Sequence, residues 1–155
     1  MKKTVLTLLL LISFLQADED NLKVVYDLTT KNIAKLEQNI LKGIVAHKAH
    51  FQQDLLELDV TIVIHGGAYR YFVKNPSTTI YKDDKALTKN YSELKKRLAT
   101  LADTYDVEFM MCGVGMRKNG MSENDIVSYV KVIPNSTIGL IKRQNQGYAY
   151  IPVGD

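Results

Sequence analysis

The sequence predicts an α/β fold: a three-layer α/β/α sandwich built on a mainly parallel five-stranded sheet. Three observations carry this. Short β-branched runs alternate with stretches of helical periodicity along the whole chain after residue 21. The run "LDVTIVIHGG" (Leu58–Gly67) is almost continuously apolar, as strands covered on both faces are. The segments between strands are long enough for crossover helices, and such crossovers are right-handed and place helices on both faces of a sheet.

Taken in order, "LKVVYDL" (Leu22–Leu28) reads as the first strand. Thr29 or Thr30 is the expected cap of the helix that follows. Ile33, Leu36, Ile40, Leu41, Ile44 and Val45 recur at helical spacing, so an amphipathic helix is expected over Lys31–His47. Leu58–Ile64 is the second strand and stops at Gly66-Gly67. Phe72–Lys85 is polar, holds Pro76 and reads as a loop long enough to be a lid. Leu87, Tyr91, Leu94, Leu98, Leu101 and Tyr105 then mark one face of a second helix. "VEFMMC" is the third strand. "SEND" (Ser122–Asp125) has the form of a capping box before a short helix. "YVKVIP" is the fourth strand, closed by Pro134. Asn135 or Ser136 starts a last helix, which ends in Lys142, Arg143 and then Gly147. "YAYIPV" is a short final strand. Internal repeats, low-complexity tracts and interdomain linkers are absent from the sequence.

The opening "MKKTVLTLLLLISFLQADED" has a basic start at Lys2 and Lys3, an apolar run over Thr4–Leu15 and a small residue at Ala17. That is the layout of a secretory signal peptide, and the run is short for a membrane span. The expected division is residues 1–17 as signal peptide and 18–155 as one α/β domain, exported to the periplasm. No membrane association is expected after cleavage. Removing Lys2 and Lys3 from 20 basic residues leaves 18 against 17 acidic ones. With charge so nearly balanced and no basic stripe, nucleic acid is not an expected partner.

The chain has one cysteine, Cys112, so an intramolecular disulfide is excluded. In an open parallel sheet, ligands bind beyond the carboxyl ends of the strands. Cys112 is the last residue of its strand, where a core cysteine would more commonly sit mid-strand. Asp27 and His65 are also strand-end residues. Gly113 and Gly115 let backbone amides approach the sulfur, and Arg117 and Lys118 follow within reach if the loop folds back. Cations and amides lower a thiol's pKa, and the thiolate is the reactive form. His65 could serve as a base or orienting donor for Cys112, or simply cap its strand. His47 and His50 have an i, i+3 spacing, but with no third ligand apparent they read better as basic residues at a helix end than as a metal site. Tyr148 and Tyr150 read as packing or subunit-contact residues. No cofactor or metal is expected.

The cysteine segment "VEFMMCGVGMRKNGMSENDI" resembles that of the DsrE/DsrF-like, TusD-related sulfur-relay family, in which a strand ends in Cys and small residues, then Arg and Gly, precede a short helix. "VTIVIHGGAYRYF" (Val60–Phe72) resembles that family's second strand and His-Gly turn. "VIPNSTIGLIKRQNQGYAYIPV" (Val132–Val153) resembles its closing helix and strand. With "LKVVYDL", the resemblance covers nearly all of the chain after the leader. It implies an α/β/α fold and homo-oligomers, often trimers or hexamers. It also implies a cysteine that carries sulfur as a persulfide and exchanges it with a sulfur-donor or acceptor protein. Cys112 takes that position, with Arg117 and His65 as its companions. Two alternatives stand beside this reading: a non-catalytic oligomeric module that binds a small ligand, and a thiol redox sensor.

Overall fold

The computed structural model describes residues 22–155; the expected signal peptide and its cleavage site lie outside them. Five strands form one sheet: β1 (Leu22–Leu28), β2 (Leu58–Ile64), β3 (Val107–Cys112), β4 (Val130–Ile133) and β5 (Ala149–Val153). Their spatial order is β4-β3-β2-β1-β5, and every pairing is parallel. The chain thus steps outward from β1 to β4 and then returns to the far side of β1. Strand order reverses between β1 and β5, the topological switch point at which open α/β sheets bind ligands. β5 forms one edge and contains Pro152, a residue with no N–H that an edge strand tolerates.

The two faces of the sheet are covered unequally. On one face lies the long helical segment α1 (Ile33–Leu36), a π-helical turn (Glu37–Lys42) and α2 (Gly43–Gln53), next to α4 (Tyr91–Asp103). Leu36, Ile40 and Ile44 from the first, and Leu98 and Leu101 from the second, are buried against Tyr26, Leu28, Val60, Ile62, Ile64, Phe109 and Met111. Burying each such side chain stabilises the fold by about 1.5–3 kcal/mol before chain entropy is counted. The other face carries α6 (Ser136–Asn145) and a smaller core of Val25, Val63, Met110 and Tyr148, packed by Ile133 and Leu140. Gly139 brings α6 close, because a Cβ there would meet Ile133 Cδ1 at 2.5 Å and Val63 at 3.6 Å. Beside that core, Glu108 pairs with Arg143, whose guanidinium also stacks over the Tyr148 ring at 4.9 Å.

The predicted architecture is present, with local corrections. Asn32, rather than Thr29 or Thr30, caps α1, accepting from the amides of Ala34 and Lys35. The helix continues to Gln53, six residues past the expected end. His47 therefore sits within it, where its Nδ1 pairs with the Tyr26 hydroxyl at 3.1 Å. The single helix expected from Leu87 to Tyr105 is broken at Asn90 into α3 (Lys85–Lys89) and α4. Gly113–Lys118, expected as a loop, is the short helix α5. Ser122 and Asp125 do form the reciprocal capping box.

The Phe72–Lys85 segment is stitched down. Its start bridges Val73 to Ile126, and the Lys74 and Val127 amides donate to the Asp125 and Phe72 carbonyls at 2.7 and 3.0 Å. Asp84 near its end pairs with Arg70 at 2.7 Å and caps α3 through the Leu87 amide.

Candidate functional site

Cys112 ends β3 and begins the turn into α5. Its residue surface is 7% exposed, so the sulfur is nearly covered. Cys112 joins the main apolar core, together with Met111 and Met116, and polar groups act on its thiol there. Burial pushes the thiol up. The Gly115 amide, the Tyr69 hydroxyl, and both the amide and the hydroxyl of Ser136 act against this, and the net shift is below the ordinary cysteine value. Hydrogen bonds to the charged form favour it, which is how four neutral donors outweigh the desolvation.

Three segments deliver these donors. Tyr69 comes from the 3-10 turn after β2 (Gly66–Tyr71), and its ring is 2% exposed. Its hydroxyl donates to the Cys112 carbonyl at 3.0 Å. A phenol has one proton, so Tyr69 serves either that carbonyl or the sulfur at a given moment. Gly115 lies in α5 against the same hydroxyl: a Cβ at Gly115 would stand 2.1 Å from Tyr69 Oη. Only glycine lets the ring and the α5 backbone share this space. Ser136 opens α6, whose cap is Asn135, accepting from the Ile138 amide at 2.9 Å. The amide and hydroxyl of Ser136 are both among the groups that lower the thiol.

Arg117 is exposed and folds back over its own helix. Its Nη1 lies 3.0 Å from the point a Gly113 Cβ would occupy, beside the Ile133 carbonyl. It stands at the edge of the cysteine turn, while the thiol's lowering comes from the neutral donors. Lys118 is also exposed.

His65 belongs to a second polar group. Its Nε2 pairs with Asp27 Oδ1 at 2.6 Å, and the Tyr150 hydroxyl donates to Asp27 Oδ2 at 2.7 Å. Asp27, His65 and Tyr150 come from β1, the end of β2 and β5, so they straddle the switch point. Tyr150, read from sequence as a packing or subunit-contact residue, bonds this carboxylate. Among the described residues, no three His, Cys, Asp or Glu side chains gather as a metal site would require.

Sequence reasoning singled out Cys112, Arg117 and His65 and did not name Tyr69 or Ser136 as site residues. Both lie just beyond strand ends, so the rule that pointed to Cys112 and His65 could have reached them.

A model of the DsrE/DsrF-like family matches residues 23–153. The chain belongs to that family. Family membership is consistent with a sulfur-relay role. An uncharacterized protein of Aquifex aeolicus (strain VF5) is 30% identical over 95 residues, a match covering 56% of this chain and 41% of the relative. The chain thus matches well under half of that protein's length. Among solved structures, the protein of unknown function MTH1491 from Methanobacterium thermoautotrophicum superimposes with a TM-score of 0.56 at 20% identity. That match covers 85% of this chain and 99% of the other, and it supports the shared α/β architecture.

Proposed function

We propose that this DsrE/DsrF-like protein is a sulfur carrier of the periplasm: Cys112 accepts sulfane sulfur as a persulfide and passes it to a partner thiol. The observation that carries this reading is the polar ring around Cys112. The Gly115 amide, the Tyr69 hydroxyl and Ser136 together lower the thiol below its ordinary value in spite of burial, which raises the share of thiolate, the form that attacks a sulfur donor. With one cysteine in the chain, no second internal thiol can resolve the persulfide to a disulfide, so the sulfur waits for a partner. Arg117, at the edge of the turn, attracts anionic donors such as polysulfide or thiosulfate. The location rests on the signal-peptide pattern of residues 1–17. A homo-oligomer, as trimer or hexamer, is part of the same proposal.

The test is intact mass after incubating the protein with polysulfide, or with thiosulfate and a sulfurtransferase. A sulfur adduct that disappears in Cys112→Ser and under reductant supports the carrier role. Absence of any adduct dependent on Cys112 overturns it.

A further inference from the structure

We infer that Asp27, His65 and Tyr150 form a proton-delivery array for the leaving group of the sulfur transfer at Cys112; the inference rests on the carrier reading above. Ile64 and Met111 are the last paired positions of β2 and β3. His65 and Cys112 are the next residues on these neighbouring strands, which run about 4.8 Å apart. Strand alternation aims both toward the face of Val63 and Met110, although Cys112, at the strand end, also packs with the larger core. The His65 ring leans away toward β1, onto Asp27. Cys112 is held from the opposite direction by Ser136 of α6, which follows β4. In the proposed step the leaving sulfur of the donor lies between these two neighbouring strand ends.

His65 is built for a proton role rather than a packing role. Its side chain is 29% exposed, Nε2 is fixed by Asp27, and Nδ1 has no hydrogen-bond partner among the described residues. Asp27 is itself fixed. Its side chain is only 14% exposed, and its second oxygen takes the Tyr150 hydroxyl. A carboxylate held in this way sets the orientation of an imidazole. Tyr150 and Asp27 are positioning residues; His65 is the group that meets the leaving atom.

The step balances without another redox agent. The Cys112 thiolate attacks the terminal sulfur of an alkyl persulfide, R–S–SH. The bond from Sγ to that sulfur forms, the donor S–S bond breaks, and its electron pair leaves on the alkyl sulfur. His65 gives that sulfur its proton, so the donor departs as R–SH, and water restores the imidazolium. Cys112 is left as the persulfide. An alkyl thiolate is a poor leaving group and gains from the proton; a sulfinate is a weak base and does not.

This difference supplies the test. Methyl methanethiosulfonate and dimethyl disulfide deliver the same methylthio group to Cys112, but the first expels a sulfinate and the second a methanethiolate. Rates are read by mass for wild type, His65→Gln, Asp27→Asn and Tyr150→Phe. With dimethyl disulfide, His65→Gln and Asp27→Asn are expected to lose roughly tenfold or more, as for a missing general acid. Tyr150→Phe is expected to lose about two- to threefold, having removed one neutral hydrogen bond. With the thiosulfonate, all three should stay within about twofold of wild type. Imidazole in solution should restore His65→Gly with dimethyl disulfide only, a rescue that a structural role would not show. Equal losses with both donors, or no loss with either, overturn the array. Tyr150 is 43% exposed, so Tyr150→Phe keeps the test alive should a buried-carboxylate variant misfold. The two readings fail separately. A Cys112 that never takes up sulfane sulfur ends the carrier role, whereas leaving-group dependence is measured on disulfide reagents regardless.

Discussion

Gly115→Ala is the sharpest probe of the cysteine pocket. The new methyl would lie 2.1 Å from Tyr69 Oη, 2.9 Å from Cζ and 3.1 Å from Cε2. Tyr69 is buried among core side chains, so its ring has little room to swing. Either the ring or α5 must shift. Overpacking of this kind costs about 1–3 kcal/mol, and losing the Tyr69 bond to the Cys112 carbonyl adds about 1 kcal/mol. Against this, alanine is better than glycine in a helix by about 1 kcal/mol. The net loss is about 1–3 kcal/mol, a fall in Tm of roughly 3–15 °C for a domain of this size. The same shift pulls the Gly115 amide and the Tyr69 hydroxyl from the sulfur, so the thiol should titrate higher and react more slowly at neutral pH. The assays are thermal unfolding and the rate of iodoacetamide alkylation against pH. Tyr69→Phe removes the oxygen at 2.1 Å, so Gly115→Ala should cost less in that background, a coupling that a double-mutant cycle reads directly. A Gly115→Ala protein that is as stable as wild type, with an unchanged alkylation profile, would refute the packing and the pocket together.

Tyr69→Phe and Ser136→Ala each remove one hydroxyl donor. Both should move the alkylation profile toward alkaline pH, and the double variant further than either, as measured by the same pH series. Glu37 is held below the usual carboxyl range chiefly by its hydrogen bond to Arg97, 2.7 Å away, with burial opposing and Lys42 assisting. Its pKa is lower folded than unfolded. The bridge therefore adds stability above the unfolded carboxyl pKa of about 4.3, and that stability is lost as pH falls through the folded value. Arg97→Ala should accordingly be more destabilising at pH 7 than in acid, as denaturant midpoints at the two pH values would show. Leu98 is fully buried on α4; Leu98→Ala should cost about 2–5 kcal/mol in chemical denaturation and leave the alkylation profile in place.

The sheet was legible because its strands are short, β-branched and regularly spaced. Leu58–Ile64 announced a central position through apolar residues on both faces, and it pairs with strands on both sides. Helix ends were less legible because they turn on which of several side chains wins a cap. Thr29, Thr30 and Asn32 could all have capped the first helix. Thr30 instead points its hydroxyl at Asp155 at 2.6 Å, a partner 125 residues away that no local pattern contains. The break at Asn90 was hidden because leucines on either side keep one periodic face.

Cys112 was visible by its place at a strand end, and so was His65. Their surroundings were not. The lowering of the thiol was expected from Arg117 and Lys118, whose charges stand out in a sequence. The Gly115 amide, which the sequence reading did expect near the sulfur, acts on it, but its partners are a tyrosine and a serine, residue types so common that nothing marks them until the chain is folded. Asp27, His65 and Tyr150 meet across 123 residues of sequence, and only the return of the last strand to the side of the first brings them together.

Pro152 has a reach beyond its own strand. Sheets with open borders invite growth, since any passing extended peptide can dock on a row of vacant amides and carbonyls. Here one border carries, one residue before its end, a proline that cannot offer an amide, and the other is four residues long with an exposed lysine, Lys131, on it. Both margins thus discourage stacking into fibrils, which lets the molecule keep a solvent-facing tyrosine and isoleucine on its outermost strand without becoming a seed for aggregation.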